Sequence, residues 1–322
     1  MTDTPRTRFR LASFFQTFGL LIIFLAVVIA LVILSPDAFA RPANLMGIIK
    51  QASINGVLAM GMMFVIISGG IDLSVGSIVA FTGVIAASLA HPGQHALIVA
   101  ILAPVAVGGL IGMFNGISVA QGEIPAFIVT LASMIMFRGA ALIFSNGAPV
   151  FNVSKGFEAI AGGFLGHSVP YLVLYFAAIT AISAVLLCLT VFGRRVYATG
   201  GNAIAAAVSG ISVNGIKIAV YTLSGLLAGF AGVLLASRTV SGSPTAGEGY
   251  EMNAIAAVII GGVSMNGGVG KWYGTVIGAL LIAVIGNGLD ILNVSSYYQL
   301  IIMGLIIYVA VLIDVKGKGP KR

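Results

Sequence analysis

Charged side chains are scarce in this chain of 322 residues. Asp, Glu, Lys and Arg together make up 8% of the sequence, whereas a typical soluble domain has roughly 25%. Apolar residues make up 59%, and the mean hydropathy is +1.12. So few charges cannot cover a water-facing surface, which excludes a soluble enzyme, a disordered tail and a nucleic-acid-binding domain as the main interpretation. The composition predicts a protein that crosses the lipid bilayer several times.

The residues that build catalytic and metal centres are also few. Cys188 is the one cysteine, so the chain can form no internal disulfide and no cysteine-based metal site. The three histidines are His91, His95 and His167, and all lie in predicted loops. A proline and a glycine between His91 and His95 interrupt any helix there, which favours polar turn residues over a metal site. No Ser/His/Asp arrangement and no suitable carboxylate pair is apparent, so the chain is not expected to be an enzyme.

An ATP-binding loop is missing as well. A P-loop requires the pattern G-x-x-x-x-G-K-[ST], because its backbone N–H groups surround the phosphates. The nearest match includes Lys271, but Met265 stands at the first glycine and Trp272 at the Ser or Thr position. We therefore expect no cofactor in this chain and no ATP hydrolysis by this chain alone.

Long apolar runs are what the sequence does contain. A helix needs about 20 apolar residues to cross a bilayer, and runs of that order recur along the chain. The sequence predicts an all-α polytopic membrane protein, a single domain over residues 1–322, with about ten transmembrane helices. The second, third and eighth runs are short and broken by glycine, so eight spans with one re-entrant segment is an open alternative. The ten runs are approximately 17–34, 53–68, 74–90, 96–120, 124–144, 169–192, 218–236, 253–263, 274–292 and 297–313.

The basic residues favour a cytoplasmic location for both termini. Lys and Arg cluster at residues 6–10, within the loop 193–217 and at residues 316–322. Ten spans place all three clusters on one side, and cytoplasmic loops carry an excess of these residues. Cleavage of a signal peptide after Ala40 is the alternative. It is disfavoured because the first apolar run is longer than the usual 7–15 residues or so. The outside loops are then 91–95, 145–168 and 237–252.

Polar residues inside or beside the apolar runs mark a candidate gate or translocation path. Asp72 lies in the string SGGIDLSVGS, where two glycines allow an unwound segment and Ser74 can cap the next helix. Two interpretations of Asp72 stay open, an acid favoured by the helix dipole and a group of the pore or gate. Asp290 and Arg138 are further intramembrane candidates, and Arg138 can extend to the outer interface. The other candidates, which could equally bond to neighbouring helices, are Asn55, Asn115, Thr130, Asn287 and Gln299.

A short helix is predicted within the inside loop 193–217. Gly200, Gly201 and Asn202 precede an alanine-rich segment that favours helix, and Asn202 is a candidate N-cap. Gly210 can end the helix. An ordinary linker is the alternative, but a capped helix of low charge on the cytoplasmic side is better suited to docking a partner.

Four strings in the chain resemble segments of a known family. They are similar to segments of monosaccharide-type, and most of all ribose-type, ABC importer permeases. The similarity extends from about residue 35 to residue 314. The strings are SGGIDLSVGS at 68–77, GRRVYATGGN at 193–202, PTAGEGYEMNAIAAVIIGG at 244–262 and VSSYYQ at 294–299.

The resemblance implies a fold similar to that of the vitamin B12-type importer permeases. It implies a permease subunit in the bacterial inner membrane that takes ribose, or a related pentose or hexose, into the cytoplasm. Three protein partners follow: a cytoplasmic ATPase that binds ATP and Mg²⁺, a periplasmic sugar-binding protein, and a second permease subunit, identical or related. The loop 193–217 would hold the helix that couples to the ATPase. The residues that match the family's coupling motif are Gly200, Gly201, Asn202, Ser209 and Gly210.

The chain departs from the family pattern at two coupling positions. The family commonly has a glutamate directly after Gly-Gly-Asn and often a basic residue a few positions later, where this chain has Ala203 and Ala207. The departure favours packing contacts with the ATPase over a latch of opposite charges. The alternative function is a stand-alone, ion-coupled transporter of small solutes, for which Asp72 and Asp290 supply few coupling groups.

Overall fold

The computed structural model describes residues 5–166 and 168–317, and helices dominate them. Among these residues, six helices are long and apolar enough to cross a membrane, and four shorter apolar helices accompany them. Each of these helices overlaps one of the predicted runs, which agrees with a polytopic helical membrane protein. The helices are α1 Pro5–Leu34, α2 Pro36–Phe39, α3 Pro42–Ile67, α4 Val75–Leu89, α5 Leu97–Ala120, α6 Ala126–Phe144, α7 Lys155–Gly162, α8 Tyr171–Leu189, α9 Val191–Gly201, α10 Ala203–Val208, α11 Val213–Thr239, α12 Tyr250–Ile260, α13 Trp272–Ile291 and α14 Ser296–Gly317.

Helix α3 lies at the centre of the bundle. Its residues 53–67 are all buried, and α8, α11, α12 and α13 pack around it. The prediction that this second run is short was wrong, because α3 is a continuous helix of 26 residues. The third and eighth runs are short as predicted, since α4 has 15 residues and α12 has 11.

Glycines allow α5 and α11 to pack closely. A Cβ atom built on Gly108 would lie 2.8 Å from the Cα atom of Gly229, and one on Gly112 would lie 3.0 Å from the Cα atom of Gly225. Each helix therefore presents two small residues four positions apart, the arrangement that brings membrane helices into close backbone contact. The 27 residues of α11 extend about 40 Å, so this helix links the two ends of the bundle.

The end of the bundle at the last turns of α11 is here called the α7 end. The Ser237 hydroxyl donates to the Phe157 carbonyl oxygen at 2.6 Å and accepts from the Ala161 backbone N–H at 2.9 Å. The backbone N–H of Val150 donates to the Gly242 oxygen at 2.8 Å. The segments 145–168 and 237–252, predicted to share one side of the membrane, therefore lie together.

The segment 145–168 is more than the simple loop that was predicted. It contains α7 and the first strand of a small hairpin, in which β1 (Phe164–Leu165) pairs antiparallel with β2 (Val169–Pro170). This hairpin is a small departure from the all-α prediction.

Candidate functional site

The turn between α3 and α4, residues 68–74, holds Asp72 with no exposed surface. Its Oδ1 atom accepts hydrogen bonds from the backbone N–H of Ser74 at 3.0 Å and from the Ser74 hydroxyl at 2.6 Å. Its Oδ2 atom accepts from the Ser224 hydroxyl of α11 at 2.9 Å. The carboxyl group therefore holds this α3–α4 turn in shape and ties it to α11.

Ser74 does not cap α4 in the way the sequence predicted. It is the residue before the helix, but its side chain makes no capping hydrogen bond. Its backbone is already helical, with φ −82° and ψ −12°, whereas a capping residue is typically extended. Its hydroxyl donates to Asp72 and its oxygen accepts from the Asn115 side chain.

Two further helices and a second side chain of α11 hold the α3–α4 turn. Asn115 of α5 donates from Nδ2 to the Ser74 hydroxyl oxygen at 2.9 Å. The Thr130 hydroxyl of α6 donates to the Ala126 oxygen at 2.8 Å and lies 3.4 Å from the Ile71 oxygen. The Tyr221 hydroxyl of α11 donates to the same Ile71 oxygen at 3.0 Å. Sequence reasoning missed Tyr221 and Ser224, although each is a polar group in the middle of an apolar run.

The other predicted path residues lie apart from this cluster. Asn55 is buried within α3, and its Oδ1 atom has no hydrogen-bond partner among the described residues. Asn287 and Asn44 form a reciprocal amide pair with distances of 2.7 and 3.0 Å. Gln299 donates to the Asp290 carboxyl group at 2.8 Å at the α13–α14 connection. These contacts join helices to one another.

A cavity of about 380 Å³ lies beside the α3–α4 turn. Ser68, Gly69 and Gly70 line one wall, and the start of α11 lines another. Glu123 and Lys217 contribute one acidic and one basic side chain to the lining. Helices α9 and α10 directly precede α11 in the chain, so they lie at the same end of the bundle as the start of α11. This end is opposite the α7 end and is here called the α10 end. The cavity connects the buried turn with the α10 end.

Helix α10 forms where a docking helix was predicted. The Asn202 side-chain oxygen accepts from the Ala205 backbone N–H at 3.0 Å, which confirms Asn202 as the N-cap. Ser209 follows the last helical residue, and Gly210 has a φ of +82°, the left-handed conformation that ends helices.

Two large apolar side chains on α10 are unusually exposed. Ile204 is 80% exposed and Val208 is 86% exposed, and their spacing of four residues places them on one face of the helix. Ala206, by contrast, is buried against the rest of the protein. Sequence reasoning missed this pair, although two large apolar residues four positions apart are visible within the predicted helix.

Gly200 and Gly201 precede the docking helix, as predicted, but they are helical and do not belong to a loop. They are the last two residues of α9, a helix that sequence reasoning did not anticipate. Tyr197 of the same helix donates its hydroxyl to the Gly270 oxygen at 2.7 Å. Burial raises the pKa of the Tyr197 hydroxyl, so this group stays protonated and remains a donor at neutral pH.

Arg138 lies at the α7 end of the bundle. Its Nη1 atom donates to the carbonyl oxygens of Pro244 and Ala246, each at 2.8 Å. The guanidinium group therefore fixes the segment between α11 and α12. His91 lies near the same end, with Nδ1 at 2.9 Å from the Asn152 oxygen. His167 lies outside the described residues, and no metal-binding cluster of three or more His, Cys, Asp or Glu occurs among those that are described.

Comparison with known proteins places the chain in a family. A family model described as the permease component of a branched-chain amino acid transport system matches residues 44–311. The chain belongs to this permease family. It is also 43% identical to the ribose import permease protein RbsC of Bacillus subtilis, over 98% of this chain and 97% of that protein.

Two further relatives are similar along most of their length. The permease is 46% identical to the ribose import permease protein RbsC of Escherichia coli K12, over 92% of each chain. It is 40% identical to the L-arabinose ABC transporter permease protein AraH of Azospirillum brasilense, over 94% of this chain and 89% of that protein. No solved structure matches the permease. The resemblance to ribose-type ABC importer permeases is confirmed, and the protein is a multi-pass permease of the inner membrane.

Proposed function

We propose that this permease imports a monosaccharide, ribose or a related pentose or hexose, powered by a separate cytoplasmic ATPase subunit. Relatives that carry the names ribose import permease and L-arabinose ABC transporter permease support the substrate class. The exposed apolar pair on α10 is the single observation that best supports the coupling. Ile204 and Val208 expose most of their apolar side-chain surface to solvent. An exposed apolar surface of this kind suits binding to a protein partner.

The coupling contact is proposed to be mainly apolar. The two alanines at 203 and 207 leave α10 without a charged side chain, so packing of Ile204 and Val208 carries the contact. ATP and Mg²⁺ bind to the ATPase subunit. Asn202, Ser209 and Gly210 shape the coupling helix, while Gly200 and Gly201 join it to α9.

Ten membrane crossings, with both termini in the cytoplasm and a fold of the vitamin B12-importer type, complete the proposed topology. Contacts at each end of the bundle support it. The ends of α3 and α9 meet the segment between α12 and α13 at one end, and the segments beside α7 meet at the other. The α10 end is then cytoplasmic, and the α7 end faces a sugar-binding protein. A second permease subunit completes the path.

The α3–α4 turn is the proposed inner part of the gate. The turn is held by hydrogen bonds of Asp72, Ser74, Asn115 and Thr130. The adjoining cavity extends from the turn toward the proposed cytoplasmic side. Asn55, Asn287 and Gln299 are retained only as weaker candidates for the path, because the last two already bond to neighbouring side chains.

The coupling is tested with the variants Ile204→Asp and Val208→Asp. Each replaces an exposed apolar side chain by a charged one, and burying that charge in the contact costs free energy. The ATPase should therefore no longer co-purify with the tagged permease. Ser212→Asp is the matched control. It adds the same charge in the same loop, and Asp can replace Ser as the N-cap of α11.

Two outcomes would contradict the apolar docking assignment. One is co-purification of the ATPase with Ile204→Asp and Val208→Asp at the level of Ser212→Asp. The other is loss of the ATPase from the unmodified permease at moderate salt, since screening weakens exposed ion pairs and not apolar packing. Gly210→Trp should also uncouple the pair, but the positive φ at Gly210 adds backbone strain, so the α10 variants are more specific.

A further inference from the structure

Three segments of the permease meet backbone to backbone at the α10 end. They are the end of α3, the end of α9 and the segment 261–271 between α12 and α13. The Gly268 backbone N–H donates to the Ile67 oxygen at 2.8 Å. A Cβ atom built on Gly200 would lie 2.6 Å from the Gly268 nitrogen and would overlap the Ile67 oxygen. Ile67, Gly200, Gly267 and Gly268 are here called the glycine joint.

The glycine joint has no flexible side chain between its parts. A Cβ atom on Gly267 would lie 2.8 Å from the Gly200 oxygen and 3.0 Å from the Gly200 Cα atom. Gly267 and Gly268 have φ values of +78° and +72°, which other residues rarely adopt. Because backbone atoms make these contacts, no change of rotamer can absorb a shift of one segment. A shift must move the neighbouring segments or break the contact.

The glycine joint lies between the two functional regions of the chain. On one side, Gly200 is separated from α10 only by Gly201 and Asn202. On the other side, Ile67 directly precedes the α3–α4 turn that contains Asp72. The hydrogen bond from Tyr197 to the Gly270 oxygen adds a second tie between α9 and the segment 261–271.

We propose that the glycine joint transmits movement of α10 to the α3–α4 turn, with Gly200 as a positioning residue for transport. Gly200 acts through the backbone of Ile67, against which it packs. This inference rests on the proposed function, because the movement originates in an ATPase docked on α10. Contacts that have discrete packed arrangements, and are not continuously deformable, are the kind that carry such changes between sites.

The test compares Gly200→Ala with Gly139→Ala, which lies outside the glycine joint and the coupling motif, in the complete complex. A Cβ atom on Gly139 of α6 would meet no atom within 4 Å, whereas one on Gly200 would overlap backbone. Three quantities are measured: co-purification of the ATPase, basal ATP hydrolysis, and its stimulation by sugar-loaded binding protein. Gly200→Ala should keep the ATPase bound but lower the stimulated-to-basal ratio by about tenfold, within the usual range of coupling between sites. Gly139→Ala should keep the ratio of the unmodified protein.

Equal ratios for the two glycine variants would overturn the inference. If Gly200→Ala does not reach the membrane, Tyr197→Phe decides, because it removes one hydrogen bond and keeps the ring. A lowered ratio for Tyr197→Phe, with the ATPase still bound, supports transmission through the joint, and an unchanged ratio contradicts it. A different result would contradict the proposed function itself: an unmodified permease that neither binds the ATPase nor stimulates its ATP hydrolysis.

Discussion

Replacing Asp72 with Ala should disable transport while leaving the permease in the membrane. The substitution removes the acceptor of three hydrogen bonds, from the Ser74 N–H, the Ser74 hydroxyl and the Ser224 hydroxyl. The two hydroxyls can rotate toward other acceptors, but the backbone N–H of Ser74 cannot. Leaving one buried donor without a partner costs about 1–3 kcal/mol. With partial losses at the hydroxyls, the expected cost at the α3–α4 turn is about 2–4 kcal/mol.

The assay combines sugar uptake with thermal stability of the purified permease. Asp72→Ala should reach the membrane at a normal level, unfold at a lower temperature and lose most uptake. Asp290→Ala is the matched control, because Asp290 is exposed and, within the described part of the chain, its side chain bonds to Gln299 alone. The control should change stability by no more than about 0.5 kcal/mol. Normal uptake and a normal unfolding temperature for Asp72→Ala would refute this account of the turn.

Three further predictions concern packing, the α7 end and topology. Gly76→Ala should destabilise the permease by about 1–3 kcal/mol, because the added methyl group would overlap the carboxyl group of Glu251. Gly139→Ala, with open space around it, should melt like the unmodified protein, and equal melting of both variants would contradict the packing argument. Arg138→Ala removes two hydrogen bonds to the segment 240–249, so limited proteolysis should cut that segment faster. An unchanged rate would argue against anchoring. Reporters fused to either end should give the cytoplasmic signal, and an outside signal from one end would exclude ten spans.

The positions of the membrane helices could largely be predicted from apolar runs, but the length of α3 could not. Asn44 and Lys50 lower the hydropathy of its first turns, so the predicted run began at residue 53. The helix continues through them because each polar group finds a partner. Asn44 pairs with Asn287, and the Lys50 ammonium lies 4.5 Å from the centre of the Phe164 ring. Such partners are distant in the sequence and invisible to a hydropathy pattern.

In the candidate site, too, local features could be predicted from the sequence, whereas contacts between distant residues could not. Asp72 and the Asn202 cap were predictable, because glycines, a cap and helix propensity act over a few residues. The bonds from Ser224 and Tyr221 to the α3–α4 turn join residues about 150 positions apart, so only the packed structure brings them together. Ser74 does not cap α4, because its backbone is helical and its hydroxyl oxygen accepts from Asn115 of α5, a partner distant in the sequence.

Uptake into proteoliposomes distinguishes ATP-driven import from ion-coupled transport. The permease is reconstituted with or without its ATPase subunit, and uptake of labelled ribose is measured with sugar-binding protein outside and ATP inside. We expect ribose uptake only when the ATPase, ATP and the binding protein are all present. An ion gradient alone should drive no uptake. Ribose uptake by the permease without the ATPase, driven by a proton or sodium gradient, would contradict the account and favour a stand-alone ion-coupled transporter.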